Sequence, residues 1–213
     1  MARNTRPKCR VCRRAGEKLF LKGDKCFTTK CPMVMRNFPP GTHGPTQGNA
    51  KNRKMTDFGK QMKEKQKAKN LYGLLEKQFR AYVEVAIATT GNSTNALHAL
   101  LEHRLDNVVF RAGFAPSRAA ARQLVSHGLI TIKGKPVTIA SYQTSVGEEV
   151  GLKEGAIQEA GLAAMTARMA KLQAPSYLSI IPEKHSVTVS STPTAQDVAQ
   201  TFNATSVIEF YSR

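Results

Sequence analysis

Four cysteines fall in two close pairs, Cys9-x-x-Cys12 and Cys26-x-x-x-x-Cys31, with thirteen residues between the pairs. A close pair lets one tight turn present two thiolates to one ion, and the intervening stretch folds back to bring up the second pair. Four thiolates close a tetrahedral site and leave no open position, so the expected chemistry is structural: one zinc ion, with iron as the usual contaminant. The neighbours Lys8, Arg10, Arg13, Arg14, Lys18, Lys22, Lys25 and Lys30 are basic. Cations help keep thiolates ionised, and they suit a knuckle resting on phosphates. A redox Cys-x-x-Cys is the rival reading, but the apolar strand-then-helix setting of that motif is missing.

A second group with chemistry is the pair Arg118 and Arg122. They lie four apart, on one face of a helix that Ser117 is suited to cap. Two guanidiniums beside a helix N-terminus make a phosphate grip. A third is the run Lys60, Lys63, Lys65, Lys67 and Lys69, preceded by Lys51, Arg53 and Lys54 and offset locally only by Glu64. Such a run is ordinarily a solvated helix face. Here self-repulsion would weaken the helix, and phosphates would remove that penalty.

The elements that must position these groups follow from periodicity. Leu97, Leu100, Leu101, Leu105 and Val108 recur at helical spacing, and Gly113 ends the pattern. A helix from Ser117 to Gly128 carries Ala121, Leu124 and Val125 inward. Ile130 and Ile132 alternate with Thr131 and Lys133, and Gly134 turns the chain into Val137-Thr138-Ile139, so a hairpin with Lys133 and Lys135 at its tip is predicted. Upstream, a helix from the lysine run continues through Leu71, Leu75, Phe79 and Val83 as one apolar stripe. Downstream, 146–150 reads as a turn into a strand that partners the hairpin, 156–173 as a helix ended by Pro175, and 177–181 with 187–189 as a further hairpin. Pro39-Pro40-Gly41-Thr42-His43-Gly44-Pro45 is punctuation between elements, with His43 a loop or RNA contact rather than a fifth ligand.

Charge is graded along the 213 residues. Residues 1–70 hold 19 Lys/Arg against 4 Asp/Glu, 71–135 hold 8 against 4, and 136–213 hold 5 against 7. The nets of +15, +4 and −2 make up the total of +17. Clustered cations gain most from releasing a polyanion's counterions, so nucleic acid is the expected partner. A membrane surface is the rival polyanion, but no basic amphipathic helix with a bulky aromatic face is evident. No apolar run is long enough to span a bilayer, and the first residues lack a secretory signal's apolar core.

Residues 104–128, RLDNVVFRAGFAPSRAAARQLVSHG, resemble the signature of the RNA-binding module named after small-subunit ribosomal protein S-four. The family usually has Asn-Gly at the hairpin turn, where this chain has Lys133-Gly134, and Trp where Tyr177 stands. The Pro-Pro-Gly-x-His-Gly segment, the basic helix of 57–80 and the terminal Ser206–Arg213 also resemble that family, in family order. The chain is identified as a member of the ribosomal S-four family, in its zinc-bearing form. The resemblance implies an α+β fold: a zinc knuckle and linker at 1–45, a basic helical domain at 46–93 completed by 196–213, and an inserted RNA-binding module with a small, mainly antiparallel sheet at 94–195. Within that frame the expected metal ligands are Cys9, Cys12, Cys26 and Cys31. The expected RNA contacts are Arg10, Arg13, Arg14, Lys22, Lys30, Lys51, Arg53, Lys54, Lys60, Lys63, Lys67, Arg80, Arg104, Arg111, Ser117, Arg118, Arg122, Gln123, His127, Lys133 and Lys135.

The resemblance further implies direct binding to small-subunit ribosomal RNA, a role early in assembly, contact with ribosomal protein S-five, influence on decoding accuracy, and in some members repression of their own messenger RNA. The expected location is the cytoplasm, in the small ribosomal subunit, with no membrane partner and no enzymatic activity. Two other classes remain to be weighed. An RNA-modifying enzyme can carry the same module, but little chain is left for a catalytic domain and no paired carboxylates stand out. A zinc-dependent DNA regulator needs a recognition helix on the knuckle, which the cysteine spacing does not clearly provide.

Overall fold

A computed structural model describes residues 5–42, 44, 55–153, 155, 159–194, 197–198 and 202–212. The chain divides into two compact units, Met1–Ala88 with Gln200–Arg213, and Thr89–Ala199.

The first unit opens with α1 (Lys8–Ala15), ended by Gly16 in the left-handed conformation at φ +78, where its N–H returns to the Cys12 carbonyl. A short 3-10 turn (Gly23–Cys26) and the single-turn α2 (Pro32–Met35) follow. The next helix, α3 (Asp57–Leu71), starts where the Thr56 hydroxyl accepts the Gly59 N–H at 3.2 Å. The single stripe predicted from Leu71 to Val83 is two helices. The chain breaks after Leu71, Gly73 takes φ +66, and α4 begins afresh over Glu76–Ala88. The break lets Leu71 and Leu74 bury on one side while Phe79, Val83 and Ala86 bury on the other helix.

The last helix of the chain, α9 (Ala204–Tyr211), completes this unit. The Asn203 side chain caps it by accepting the Ser206 N–H at 3.1 Å, and it packs on α3 and α4. The Phe210 and Tyr211 rings meet Phe58 at 5.6 Å and Phe79 at 6.3 Å. The knuckle belongs to the same unit, because α1 packs on α3 and Glu17 pairs with Lys67 at 3.0 Å. The boundary read at residue 45 therefore separates segments that share one packed body.

In the second unit α5 (Ser93–Glu102) is capped by Asn92, which accepts from the Thr94 and Asn95 N–H groups. The one helix predicted from Leu97 to Val108 is again two, since α6 (Leu105–Arg111) starts only after Arg104. The loop at 140–144 competes for the backbone there. Thr144 N–H donates to the His103 carbonyl at 2.8 Å, and Leu105 N–H to that of Tyr142 at 2.9 Å. Gly113 closes α6 at φ +84, and a Cβ on it would sit 3.3 Å from the Met169 Cα, so the turn needs glycine twice over. Ser117 caps α7 (Arg118–Ser126) by accepting the Ala120 N–H at 3.3 Å, as expected.

The sheet is antiparallel, in the order β2-β1-β3-β5-β4, from strands β1 (Ile130–Ile132), β2 (Lys135–Pro136), β3 (Glu149–Leu152), β4 (Leu178–Ile181) and β5 (Ser186–Val189). Between β1 and β2 only Lys133 and Gly134 intervene, at φ +48 and +78, the signs of a type I′ turn. The second hairpin strand is shorter than predicted. Val137 N–H still reaches the Ile130 carbonyl at 3.0 Å, but Ile139 stands exposed and outside the ladder. Between β3 and β4 lies α8 (Glu159–Lys171), whose Met165 and Met169 join the core formed by α6, α7 and one sheet face. The whole is α+β, as the sequence implied.

Candidate nucleic-acid interface

The lysine run is only partly a free cationic face. Lys60 bonds Asp57 at 2.9 Å, Lys67 bonds Glu17 at 3.0 Å and Lys69 bonds Glu76 at 2.8 Å. Lys65, 6% exposed, also bonds Glu76, and lies over the Phe210 and Tyr211 rings at 4.8 and 5.5 Å. Burial alone would raise the Glu76 carboxyl, but hydrogen bonds from Lys65, Lys69 and Tyr211 outweigh it and hold it at about 2. Asp57 and Glu76, just beyond the two ends of the run, and Glu17, remote in sequence, thus supply the offset that Glu64 alone does not. Helical spacing leaves Lys60, Lys63 and Lys67 along one open cleft with Met55, Phe202 and Asn203; its one carboxylate among the described residues, Glu64, accepts the Asn203 N–H at 2.9 Å. The cleft can cradle a polyanion backbone. Arg80 is exposed and pairs with Glu84 at 2.7 Å.

In the knuckle Cys9 and Cys12 share a face of α1, Cys26 ends the 3-10 turn, and Cys31 precedes α2. All four line one cavity with Lys8, Lys18 and Lys22. Lys22 N–H points at the Cys26 sulfur at 3.4 Å, and Leu19 N–H bonds Cys12. Burial pushes the Cys12 thiol up, the Leu19 bond opposes this, and the charges of Cys26, Cys9 and Cys31 push it further up. A bound cation is what would let such crowded sulfurs ionise together. Among the described residues, no group of three or more His, Cys, Asp or Glu side chains is gathered tightly enough to hold a metal as it stands. The donor set still fits zinc: four soft ligands on one cavity, two of them approached by backbone N–H groups. Arg10, Arg14, Lys22 and Lys30 are exposed around it. Arg13 instead turns inward, donating to the Phe38 carbonyl at 2.9 Å and lying over the Phe38 ring.

In the second unit the arginine pair is drawn towards α6. Arg122 is 8% exposed and pairs with Asp106 at 3.5 Å. Asp106 is also held by Arg104, itself 1% exposed, through bonds of 3.1 and 2.7 Å. Helical period explains the placement, for Arg122 sits between the fully buried Ala121 and Val125 on the inward side of α7. Arg118 lies half-buried, donating to Asn107 at 2.7 Å with its guanidinium over the Phe110 ring at 4.6 Å. Arg111 grips Glu102 with bonds of 3.0 and 3.1 Å, and Glu102 accepts also from Asn107 at 2.7 Å and from the Tyr177 hydroxyl at 2.6 Å. Burial would raise the Glu102 carboxyl, but the charges of Arg111 and Arg118 and bonds from Arg111 and Tyr177 hold it at about 2.

The exposed residues of α7 are therefore Ala119, Gln123 and Ser126, followed by His127, while Arg111 and Arg118 are half-buried. Ser117 is buried and serves as a cap. Lys133 and Lys135 are exposed at the hairpin tip as predicted, Lys133 within 3.5 Å of Glu148. Lys51, Arg53, Lys54 and His43 lie outside the described residues. Sequence reading missed Glu102, Asp106 and Asn107 as the groups that position the arginines. The available signal was two acids set among four arginines between 102 and 122. It also gave no sign that Tyr177, where the family usually has Trp, bonds that network.

Residues 3–102 match the ribosomal protein S4/S9 N-terminal domain family, and residues 103–150 match the S4 domain family. The chain is 43% identical over 213 residues to small ribosomal subunit protein uS4A of Symbiobacterium thermophilum, covering 100% of both chains. It is 45% identical over 216 residues to small ribosomal subunit protein uS4 of Dictyoglomus turgidum, and 42% identical over 213 residues to that of Trichlorobacter lovleyi, again with 100% of each chain covered.

Proposed function

We propose, because this chain belongs to the uS4 family of small ribosomal subunit proteins, that it is a structural component of the small ribosomal subunit and binds small-subunit ribosomal RNA directly. The observation that carries this is end-to-end similarity to proteins named for that subunit, with both family domains in order. The charge gradient and the lysine cleft support the same reading, since a polyanion is what they would attract. The protein works in the cytoplasm, inside the assembled subunit, and needs no chemistry beyond binding.

The RNA contacts in this reading are, in the first unit, Arg10, Arg14, Lys22 and Lys30 on the knuckle and the cleft of Lys60, Lys63 and Lys67, and, in the second unit taken by itself, Arg111 and Arg118 with Gln123 and His127, and the hairpin tip. Cys9, Cys12, Cys26 and Cys31 hold one zinc ion, which supplies a structural crosslink. By family resemblance the protein also contacts ribosomal protein S-five, nucleates assembly, influences decoding accuracy and can bind its own messenger RNA.

The test is equilibrium binding at several salt concentrations, with small-subunit ribosomal RNA, transfer RNA and duplex DNA in competition. Preference for the ribosomal RNA, falling steeply with salt, is the expected result. Equal competition by all three would reject a specific ribosomal role. Turnover of an RNA substrate in a modification assay would favour the enzyme that shares the module.

A further inference from the structure

Phe20 and Phe27 stack at the surface of the knuckle, with ring centroids 4.9 Å apart and planes 28° apart. Phe27 is 74% exposed and Phe20 44%. Aromatic pairs are ordinarily core material because each ring carries a large apolar area. Phe20 holds its place at φ +50, a conformation bulky side chains rarely adopt. The turn has a local cause: the N–H groups of Leu19 and Lys22, on either side of Phe20, bond Cys12 and Cys26. Its consequence is a ring at the surface beside Phe27, rather than one packed inside.

The surroundings say what such a ring suits. Lys18, Lys22, Lys25 and Lys30, each within three residues of one of the two rings, are all exposed. Lys18 and Lys22 line the same cavity as Phe20. Residues 5–42 carry ten Lys/Arg against two Asp/Glu. A stacked aromatic pair with exposed lysines nearby in sequence matches a nucleotide, whose base has a planar face of that size and whose phosphates are anionic. A protein partner would need roughly 1,000 Å² of complementary surface.

We infer that the stacked Phe20–Phe27 pair is a platform for an unpaired base of the RNA, with the flanking lysines taking the neighbouring phosphates. This rests on the RNA-binding reading above and adds to it a contact made by stacking rather than by charge.

The test uses the full, zinc-loaded chain and a full-length small-subunit ribosomal RNA transcript at fixed salt. The natural chain contains no tryptophan, so F27W introduces the sole indole. Phe27→Leu keeps the apolar bulk and removes the aromatic face. It is expected to weaken binding about tenfold, as loss of one stacked base does, with the salt dependence unchanged. F27W keeps an aromatic face at that position, and its emission is expected to be quenched on adding RNA. If F27L binds as tightly as the natural chain and keeps its salt dependence, the platform is refuted while the RNA reading stands. F27L that binds RNA normally but drops out of reconstituted subunits refutes it too and gives the face to a neighbouring protein. If the natural chain does not bind the transcript, both readings fall. Should F27L melt early or lose zinc, F27W decides alone, and emission unchanged by RNA overturns the inference.

Discussion

Asp106 is the group whose loss should disturb the RNA-binding module most. Its side chain is 6% exposed, takes two bonds from Arg104 at 3.1 and 2.7 Å, and stands 3.5 Å from Arg122. Asp106→Asn keeps the shape but removes a charge that both buried guanidiniums meet. Removing one partner of a buried ion pair costs about 3–5 kcal/mol. Arg122→Ala is milder, because Asp106 keeps its two-bond grip from Arg104; about 1–2 kcal/mol is expected, the scale of one charge-assisted contact. For a unit of this size each kcal/mol moves the melting temperature by about 4 °C. D106N should therefore melt about 12–20 °C below the natural chain, and R122A about 4–8 °C below. Differential scanning calorimetry of the full chain reads this, with circular dichroism confirming that each variant is folded at the starting temperature. Equal shifts for the two variants, or a D106N shift under about 4 °C, would refute the argument that Asp106 is the hub. R122A matters for function as well: any loss of RNA affinity it shows should shrink when the comparison is made well below its melting temperature.

Lys133→Asn should stabilise the hairpin by about 1 kcal/mol, since Asn tolerates the left-handed conformation, and the lost contact to Glu148 is a surface pair of little worth; a melting temperature that falls would contradict this. Glu76 and Glu102 both titrate at about 2 in the fold against an ordinary 4.5, so the stability they add is complete above about pH 4.5 and is lost as pH falls towards 2. Denaturant melts of Glu102→Gln against the natural chain should show a gap at pH 7 that narrows over that window, and a gap constant with pH would be wrong. Lys63→Ala, on the exposed rim of the cleft, should lower the slope of log affinity against log salt by about one while leaving stability unchanged, whereas Lys65→Ala, buried over Phe210, should do the reverse. Cys26→Ser should abolish about one bound zinc per chain and loosen the knuckle while Thr89–Ala199 keeps its own transition.

The Ser117 cap, the glycine stops and the pairing of β1 with β3 were legible because they rest on local signals: Ser117 before a helix, glycine after one, alternation along Ile130–Ile132; the fold class came with the family resemblance. The two helix breaks were not. Apolar spacing runs straight through 71–83 and 97–108, and what ends each helix there is a left-handed Gly73 in one case and loop 140–144 bonding the backbone in the other. The same limit governs the candidate site. Spacing correctly put Arg118 and Arg122 on one side of α7, but which side faces solvent depends on Asp106 and Asn107 from another helix. Lys65 looked like any other lysine in its run until Phe210, Tyr211 and Glu76 closed over it. Phe20 and Phe27 went unremarked because seven residues separate them and only the fold stacks them.

The central claim is direct and specific contact with small-subunit ribosomal RNA. Hydroxyl-radical footprinting of a full-length transcript, with and without the purified chain, tests it without any other ribosomal protein present. A compact set of protected backbone positions, appearing at one protein per RNA and fading as salt rises, is the predicted result. Uniform weak protection along the whole transcript, or the same protection given by an equally basic unrelated protein, would contradict the account.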